Sequence, residues 1–353
     1  MQETIICRIT ESPFRYIGWP TVTQDEKGVL YAVCSGHRLS HICPFGQNWL
    51  FISDDQGATW RGPMIINDTV LDDRDTGLLY RGNGKMMMMA FNHPPKSYDD
   101  WDEIIKNITP KDSLLIAEGM KNYWKVYEAP YGSFTKASLD YGKTWSERRP
   151  APLTSPHGPI ELPDGTLLHL GKEFYSGLSI EKDHIYCAKS KNDGKNWEII
   201  GQVPLPDGLT ENNLHEPAVL LLPDGTLLGF IRVDANNRMT MVKTFSYDGG
   251  KTWTKPEKTG YCGAPPHLLL TSKGDVLLTY GRRENPFGEC VRVSHDGGKT
   301  FGEETYVSYG PNGDLGYPTT TELADGSFYT VYYQQMMGDA YPSLVGCRWR
   351  MEE

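Results

Sequence analysis

Side chains able to move protons or hold an anion crowd a small set of positions in this chain, each at the end of an apolar run. Ahead of such runs stand Gly18-Trp19, Arg74-Asp75, His157-Gly158, His215-Glu216, Pro265 and Gly316-Tyr317. Behind the runs that follow stand His37-Arg38, Asn92-His93, Lys172-Glu173, Arg232-Val233-Asp234, Arg282-Arg283 and Gln334-Gln335. Carboxyl, imidazole and phenol groups can exchange protons, and guanidinium groups can hold a carboxylate. Such a set does chemistry only if a rigid scaffold gathers it in one place.

Internal repeats supply that scaffold. One pattern is a proline or small residue, an alternating apolar run, a turn ending in glycine, and a second apolar run. It occurs at Pro20 with Gly28, less cleanly at Gly77 with Gly84, then at Pro159 with Gly165 and Pro217 with Gly225. The last copies are Pro266 with Gly274 and Pro318 with Gly326. A turn of this kind between alternating runs reads as a hairpin, so six hairpins are expected. The second pattern, Ser-x-Asp-x-Gly-x-Thr-Trp, begins at Ser53, Ser138 and Ser246; it is decayed at Ser190 with Asn192, and ends in Phe301 where it begins at Ser294. Its Ser and Asp cap backbone N–H groups, its Gly takes positive φ, and its aromatic residue anchors the turn between sheets.

Six hairpins and five such turns predict an all-β, six-bladed β-propeller, each blade a four-stranded antiparallel sheet, over residues 1–353 as one domain. The N-terminal strand, about Thr4–Ile9, is expected to complete the last sheet. Hairpin glycine and turn serine are much farther apart in the second blade, which places an insertion at about 92–131, read as a lid or an oligomer contact. Met86–Met89 reads as an inner strand buried on both faces. In such a ring all of these leading and trailing positions fall on one mouth of the axial channel.

The net charge is −10, without a Lys/Arg run, which argues against nucleic acid or an anionic membrane as partner. No apolar run approaches the ~20 residues of a membrane span. The N-terminus lacks the pattern of a signal peptide, so a cytoplasmic address is expected. Seven scattered cysteines read as free thiols. Neither a metal nor a cofactor is called for, and the oligomeric state stays open.

The repeats resemble the Asp boxes of the sialidase (BNR repeat) superfamily over almost the whole chain. That resemblance implies a Tyr nucleophile activated by a Glu, arginines holding a sugar carboxylate, and an Asp as acid/base. Glu216-Pro217-Ala218-Val219 followed by Phe230-Ile231-Arg232 is similar to the family's catalytic Glu and a carboxylate-binding Arg. Asp314-Leu315-Gly316-Tyr317 matches the nucleophile position, and Arg282 the third arginine, with Arg283 or Arg292 as alternatives. Two departures stand out. Gly18-Trp19-Pro20 replaces the motif that carries the family's first arginine, leaving Arg38 or Arg15 as substitutes. The loop Ser35–His41 lacks the acid/base carboxylate, so His37, His41 and Asp75 become the candidates for proton transfer.

The expected function is a retaining glycoside hydrolase that removes a terminal, acidic or otherwise polar sugar. Tyr317, Glu216, His37, His41 and Asp75 are the catalytic candidates; Arg38, Arg74, Arg232, Arg282, His93, His215 and Trp19 would bind the carbohydrate. Two alternatives remain: β-elimination on a uronic-acid glycan by His37 or His41 with Tyr317, and a non-catalytic propeller that binds carbohydrate or protein.

Overall fold

The computed structural model describes residues 1–94, 130–174 and 178–351. They form six four-stranded antiparallel sheets arranged as the blades of a propeller. The first blade comprises Tyr16–Gln24, Leu30–Arg38, Gln47–Ser53 and Arg61–Asn67. The second comprises Asp73–Tyr80, Met86–Asn92, Gly132–Ser138 and Arg149–Pro150, and the third Ile160–Glu161, Leu167–Lys172, Ile185–Ser190 and Glu198–Gln202. The fourth runs Leu214–Leu221, Leu227–Ala235, Arg238–Ser246 and Glu257–Cys262; the fifth Pro266–Leu270, Val276–Arg282, Gly288–Ser294 and Thr305–Tyr309. The sixth holds Leu315–Glu322, Phe328–Gln335 and Pro342–Trp349, and its outer strand is Gln2–Cys7. Among the described residues there is no α-helix, only a 3-10 turn at Glu211–Asn213.

The N-terminal strand closes the ring, pairing Gln2 with Arg348 and Ile5 with Val345. It lies two residues earlier than the sequence suggested. Closure leaves only short sheet edges and joins the chain ends in one blade.

The repeated turn works through its side chains. In the first copy Ser53 Oγ donates to Asp55 (2.7 Å) and accepts the Gly57 N–H (2.8 Å). Asp55 accepts the backbone N–H and hydroxyl of Thr59, and these bonds hold its carboxyl down at about 2. Gly57 has φ +88°, and a Cβ there would lie 2.0 Å from the Tyr329 ring in the sixth blade. Only glycine fits both demands. Trp60 Nε1 donates to the Gly57 carbonyl and to Tyr329 Oη, tying the turn to that neighbouring sheet. The copies at Ser138, Ser246 and Ser294 repeat the Asp–Thr bonds. In the decayed copy Asn192 still accepts the Asn196 N–H.

Apolar residues of facing blades interdigitate between the sheets; Tyr31, Val33 and Leu50 of the first blade pack with Met86, Met88 and Ala90 of the second. All of Met86–Met89 is buried, as expected of an inner strand covered on both faces. Asn92 pairs with Gly132, and also with Asp73 at the start of the same blade. The insertion therefore leaves between the second and third strands, on the face where the first strands begin. Its residues 95–129, read above as a lid or an oligomer contact, lie outside the described residues.

Candidate active site

The innermost strands share one irregularity. In four blades two residues face one on the neighbouring strand: Trp19-Pro20, Asp75-Thr76, Glu216-Pro217 and Tyr317-Pro318. The first residue of each bulge has positive φ: Trp19 55°, Asp75 44°, Glu216 45° and Tyr317 54°. Gly158 (φ 79°) precedes Pro159 in the third blade in the same way. A non-glycine residue in this region costs about 1–3 kcal/mol. The bulge re-aims its first side chain at the axis, and proline, which lacks an N–H, loses nothing at an unpaired position. The repeat prolines Pro20, Pro217 and Pro318 are therefore the second residues of bulges, whereas Pro266 pairs regularly with Tyr280.

Three of the four bulge leaders, Asp75, Glu216 and Tyr317, line one cavity of about 280 Å3 on the axis. His41, Arg74, His215 and Arg232 line it too, as the sequence suggested, together with Arg283, Lys172, Asp234, Phe91, Phe174 and the Thr154-Ser155-Pro156 turn. Tyr317 Oη donates a hydrogen bond to Glu216 Oε1. The other oxygen of Glu216 accepts Arg232 Nη1 at 2.6 Å. Arg232 then grips Asp234 with its remaining edge, Nε to Oδ1 at 3.0 Å and Nη2 to Oδ2 at 2.7 Å. Burial would raise the Glu216 carboxyl, but Arg232, the Tyr317 hydroxyl and Arg283 hold it below its usual range. Burial and the adjacent Glu216 charge push the Tyr317 phenol well above its usual range, outweighing the arginines. Tyr317 is thus a neutral phenol hydrogen-bonded to an ionised carboxylate.

Asp75 has the opposite tendency to Glu216. Burial pushes its carboxyl up to about 7, with Glu216 adding to the rise and Arg74 opposing it. Its Oδ1 is buried without a hydrogen-bond partner and lies 3.9 Å from Arg74 Nε. Two carboxyl groups in one cavity thus have separated proton affinities, which is the condition for an acid and a base to work together.

The arginines divide by their partners. Arg283 stands with its guanidinium 5.6 Å from the Tyr317 ring centre and donates Nη2 to Tyr333 Oη at 3.1 Å. Its Nε is buried without a partner, and no carboxylate among the described residues lies within 4.0 Å of it. Arg74 donates to the His41 carbonyl (2.7 Å) and stacks on Trp19 at 4.1 Å. Burial, then Arg74 and the other nearby arginines, push the His41 imidazole down to about 2. The cavity is electropositive around His41.

Five candidates are not where the sequence suggested. Arg38 is fully buried; it pairs with Asp72 at 2.5 Å and donates to Ser35 Oγ and the His41 carbonyl, so it supports the wall. Trp19 has no exposed surface, because Arg38 and Arg74 cover its ring, and it offers no face to a sugar. Arg282 turns outward to Glu304 (3.0 Å), and the next residue, Arg283, enters the cavity. His37 stacks on Phe14 at 4.2 Å, away from the cavity. His93 stands edge-on to Phe91 outside the lining. Conversely, Lys172 and Asp234 stood in trailing positions without an assigned role, and Ser155 carried no signal. Among the described residues no group of three or more His, Cys, Asp or Glu could hold a metal ion.

Comparison with functionally curated proteins finds no match. Among solved structures, a protein of unknown function from Dyadobacter fermentans aligns with TM-score 0.78 at 20% identity, over 100% of this chain and 98% of its own. A Hadza microbial sialidase aligns with TM-score 0.70 at 18% identity, over 99% of this chain and 68% of its own. The intramolecular trans-sialidase of Ruminococcus gnavus aligns with TM-score 0.68 at 14% identity, over 99% and 97%. At such identities the likeness establishes the fold, which fits the five Asp-box turns and six closed blades described above. The BNR repeat-like domain family matches residues 113–330, more than half of the chain, and this propeller belongs to that family.

Proposed function

We infer that the protein is a retaining glycoside hydrolase that removes one acidic terminal sugar. The observation that carries this reading is the hydrogen bond from Tyr317 to Glu216, inside a cavity where Asp75 holds a proton near neutral pH. The enzymes named as sialidases that share the fold support the substrate class. The cavity, at about 280 Å3, is just below the range of drug-sized pockets, about 300–1,000 Å3, and suits one sugar ring.

In the first step Tyr317 Oη attacks the anomeric carbon and its proton passes to Glu216 Oε1. The bond to the leaving oxygen breaks as Asp75 gives that oxygen its proton. In the second step the Asp75 carboxylate takes a proton from water, which attacks the anomeric carbon and releases the sugar, and Glu216 returns its proton to Tyr317. Two displacements retain configuration. A neutral phenol suits a reacting carbon that already carries an anion beside it. Arg283 and Arg74, which keep unpartnered Nε groups, supply the positive field for that anion.

The β-elimination alternative needs a histidine base at the cavity. His37 lies away from it, and burial and the nearby arginines push the His41 imidazole down to about 2, so neither histidine supports that reading.

The test is a screen of aryl glycosides, including sialic and uronic acids, with the wild type and Tyr317→Phe. Hydrolysis by the wild type and its loss in Tyr317→Phe is the expected result. Undiminished turnover in the variant rules out the nucleophile; formation of unsaturated, ultraviolet-absorbing products favours elimination. No turnover of any glycoside favours a binding protein.

A further inference from the structure

Beside the Tyr317–Glu216 pair, a buried lysine holds one face of a histidine. Lys172 is 2% exposed, and its Nζ donates to the Leu214 carbonyl (2.7 Å) and the Glu211 carbonyl (3.1 Å). Its third neighbour is His215 Nδ1 at 3.4 Å. An ammonium has three donors and no acceptor, so three acceptors around it account for all of them. Facing a group that offers only hydrogens, His215 Nδ1 is favoured as an acceptor, which puts the single proton of the neutral imidazole on Nε2. That nitrogen faces Asp234 Oδ2 across 4.0 Å, beyond N–H···O bonding distance. Asp234 is itself fixed by the Arg232 fork.

A donor and an acceptor separated by 4.0 Å leave room for one atom that can both accept and donate. An oxygen about 2.8 Å from each would see them at roughly a right angle. A hydroxyl meets that demand; a carbonyl or ether oxygen cannot donate, and a methylene does neither. We propose that Lys172 fixes His215 as the Nε2–H tautomer, so that His215 and Asp234 together read one hydroxyl of the substrate. Lys172 is a positioning residue, and His215 is a donor and not a base. The hydroxyl half rests on the carbohydrate reading above; the tautomer half does not.

Long-range 1H–15N NMR of the 15N-labelled protein tests the tautomer without any ligand, with His215 assigned by its loss in His215→Gln. A pyridine-like Nδ1 and a pyrrole-like Nε2 are expected near neutral pH, and Lys172→Met should mix the two tautomers. A protonated Nδ1 in the wild type overturns the proposal, whether or not the lysine variant folds. For the hydroxyl half, the aryl glycoside turned over by wild type is compared with its monodeoxy and mono-O-methyl analogues. One position should carry a loss in kcat/KM of about 100-fold or more. In His215→Gln that loss should shrink to a few-fold, while the other positions keep theirs. Equal sensitivity of all positions in both proteins overturns it. If no glycoside is turned over, binding of free glucuronic and N-acetylneuraminic acids is followed at His215 Nε2–H. A shift with either supports the contact, and binding without a shift, or no binding, overturns it.

Discussion

Tyr317 donates its hydroxyl proton to Glu216 across the propeller axis, from a strand 101 residues further along the chain. Both residues lead equivalent bulges in different blades, so the same local device aims each of them at the other. The fold pays for four such left-handed positions and obtains a converging acid, base and phenol.

The pH profile should follow the two carboxyl groups. Asp75 must carry a proton to protonate the leaving oxygen, so kcat/KM should be lost as pH rises through about 7. Glu216 must be ionised, and its proton affinity lies below the ordinary Glu value of 4.5, so the acid limb should fall below that. Asp75→Asn should abolish the alkaline limb and lower kcat by about 100- to 10,000-fold. An unchanged limb in that variant assigns the acid elsewhere.

Arg283 is the cavity cation least engaged by the protein. Arg283→Met should raise KM for an acidic glycoside by about 10- to 100-fold. The methyl ester of the same glycoside should be affected far less. This substrate-by-variant cycle isolates the contact to the carboxylate; equal losses on acid and ester contradict it.

Arg38 should matter for folding and not for binding. Replacing it with Met takes from buried Asp72 its 2.5 Å ion-pair partner and leaves Arg74 at 3.7 Å and the Cys43 N–H, a loss of up to about 3–5 kcal/mol. Denaturant titration should show that loss, and Asp72→Leu in the same chain should recover much of it. A variant of wild-type stability with raised KM would return Arg38 to the substrate.

Glu289 is buried with neither carboxylate oxygen hydrogen-bonded, and burial pushes it up to about 8 despite Arg283 nearby. A carboxyl whose proton affinity is higher in the folded state stabilises the fold relative to its ionised form at low pH. That advantage is lost as pH rises from about 4.5 toward 8. Glu289→Gln should remove this contribution, so the fall in Tm between pH 5 and pH 8.5 should be smaller than in the wild type. An equal or larger fall contradicts the burial of an uncompensated carboxyl.

Much of this was legible because it is local. The Ser53–Trp60 turn and its copies carry their own hydrogen-bond partners within a few residues, so sequence reveals them directly. The strand ends at Asp75, Glu216 and Tyr317 could be placed on one mouth because ring closure dictates where such ends fall. What failed depended on partners from other blades or on parity. Arg38 reads as available in sequence, but Asp72, leading into the next blade, pairs with it, and two arginines cover the ring of Trp19. Arg282 and Arg283 are adjacent in sequence, yet only one can point inward where the strand ends. The Lys172–His215 contact joins neighbouring blades, and nothing in either segment announces it.

Covalent trapping tests the central claim most directly. The protein is incubated with the fluorinated glycosyl fluoride of a sugar it turns over, digested, and read by mass spectrometry. The glycosyl adduct is expected on the peptide that carries Tyr317, and it should be absent from Tyr317→Phe. An adduct on a different side chain, or continued hydrolysis with retention and no adduct at Tyr317, would contradict the account.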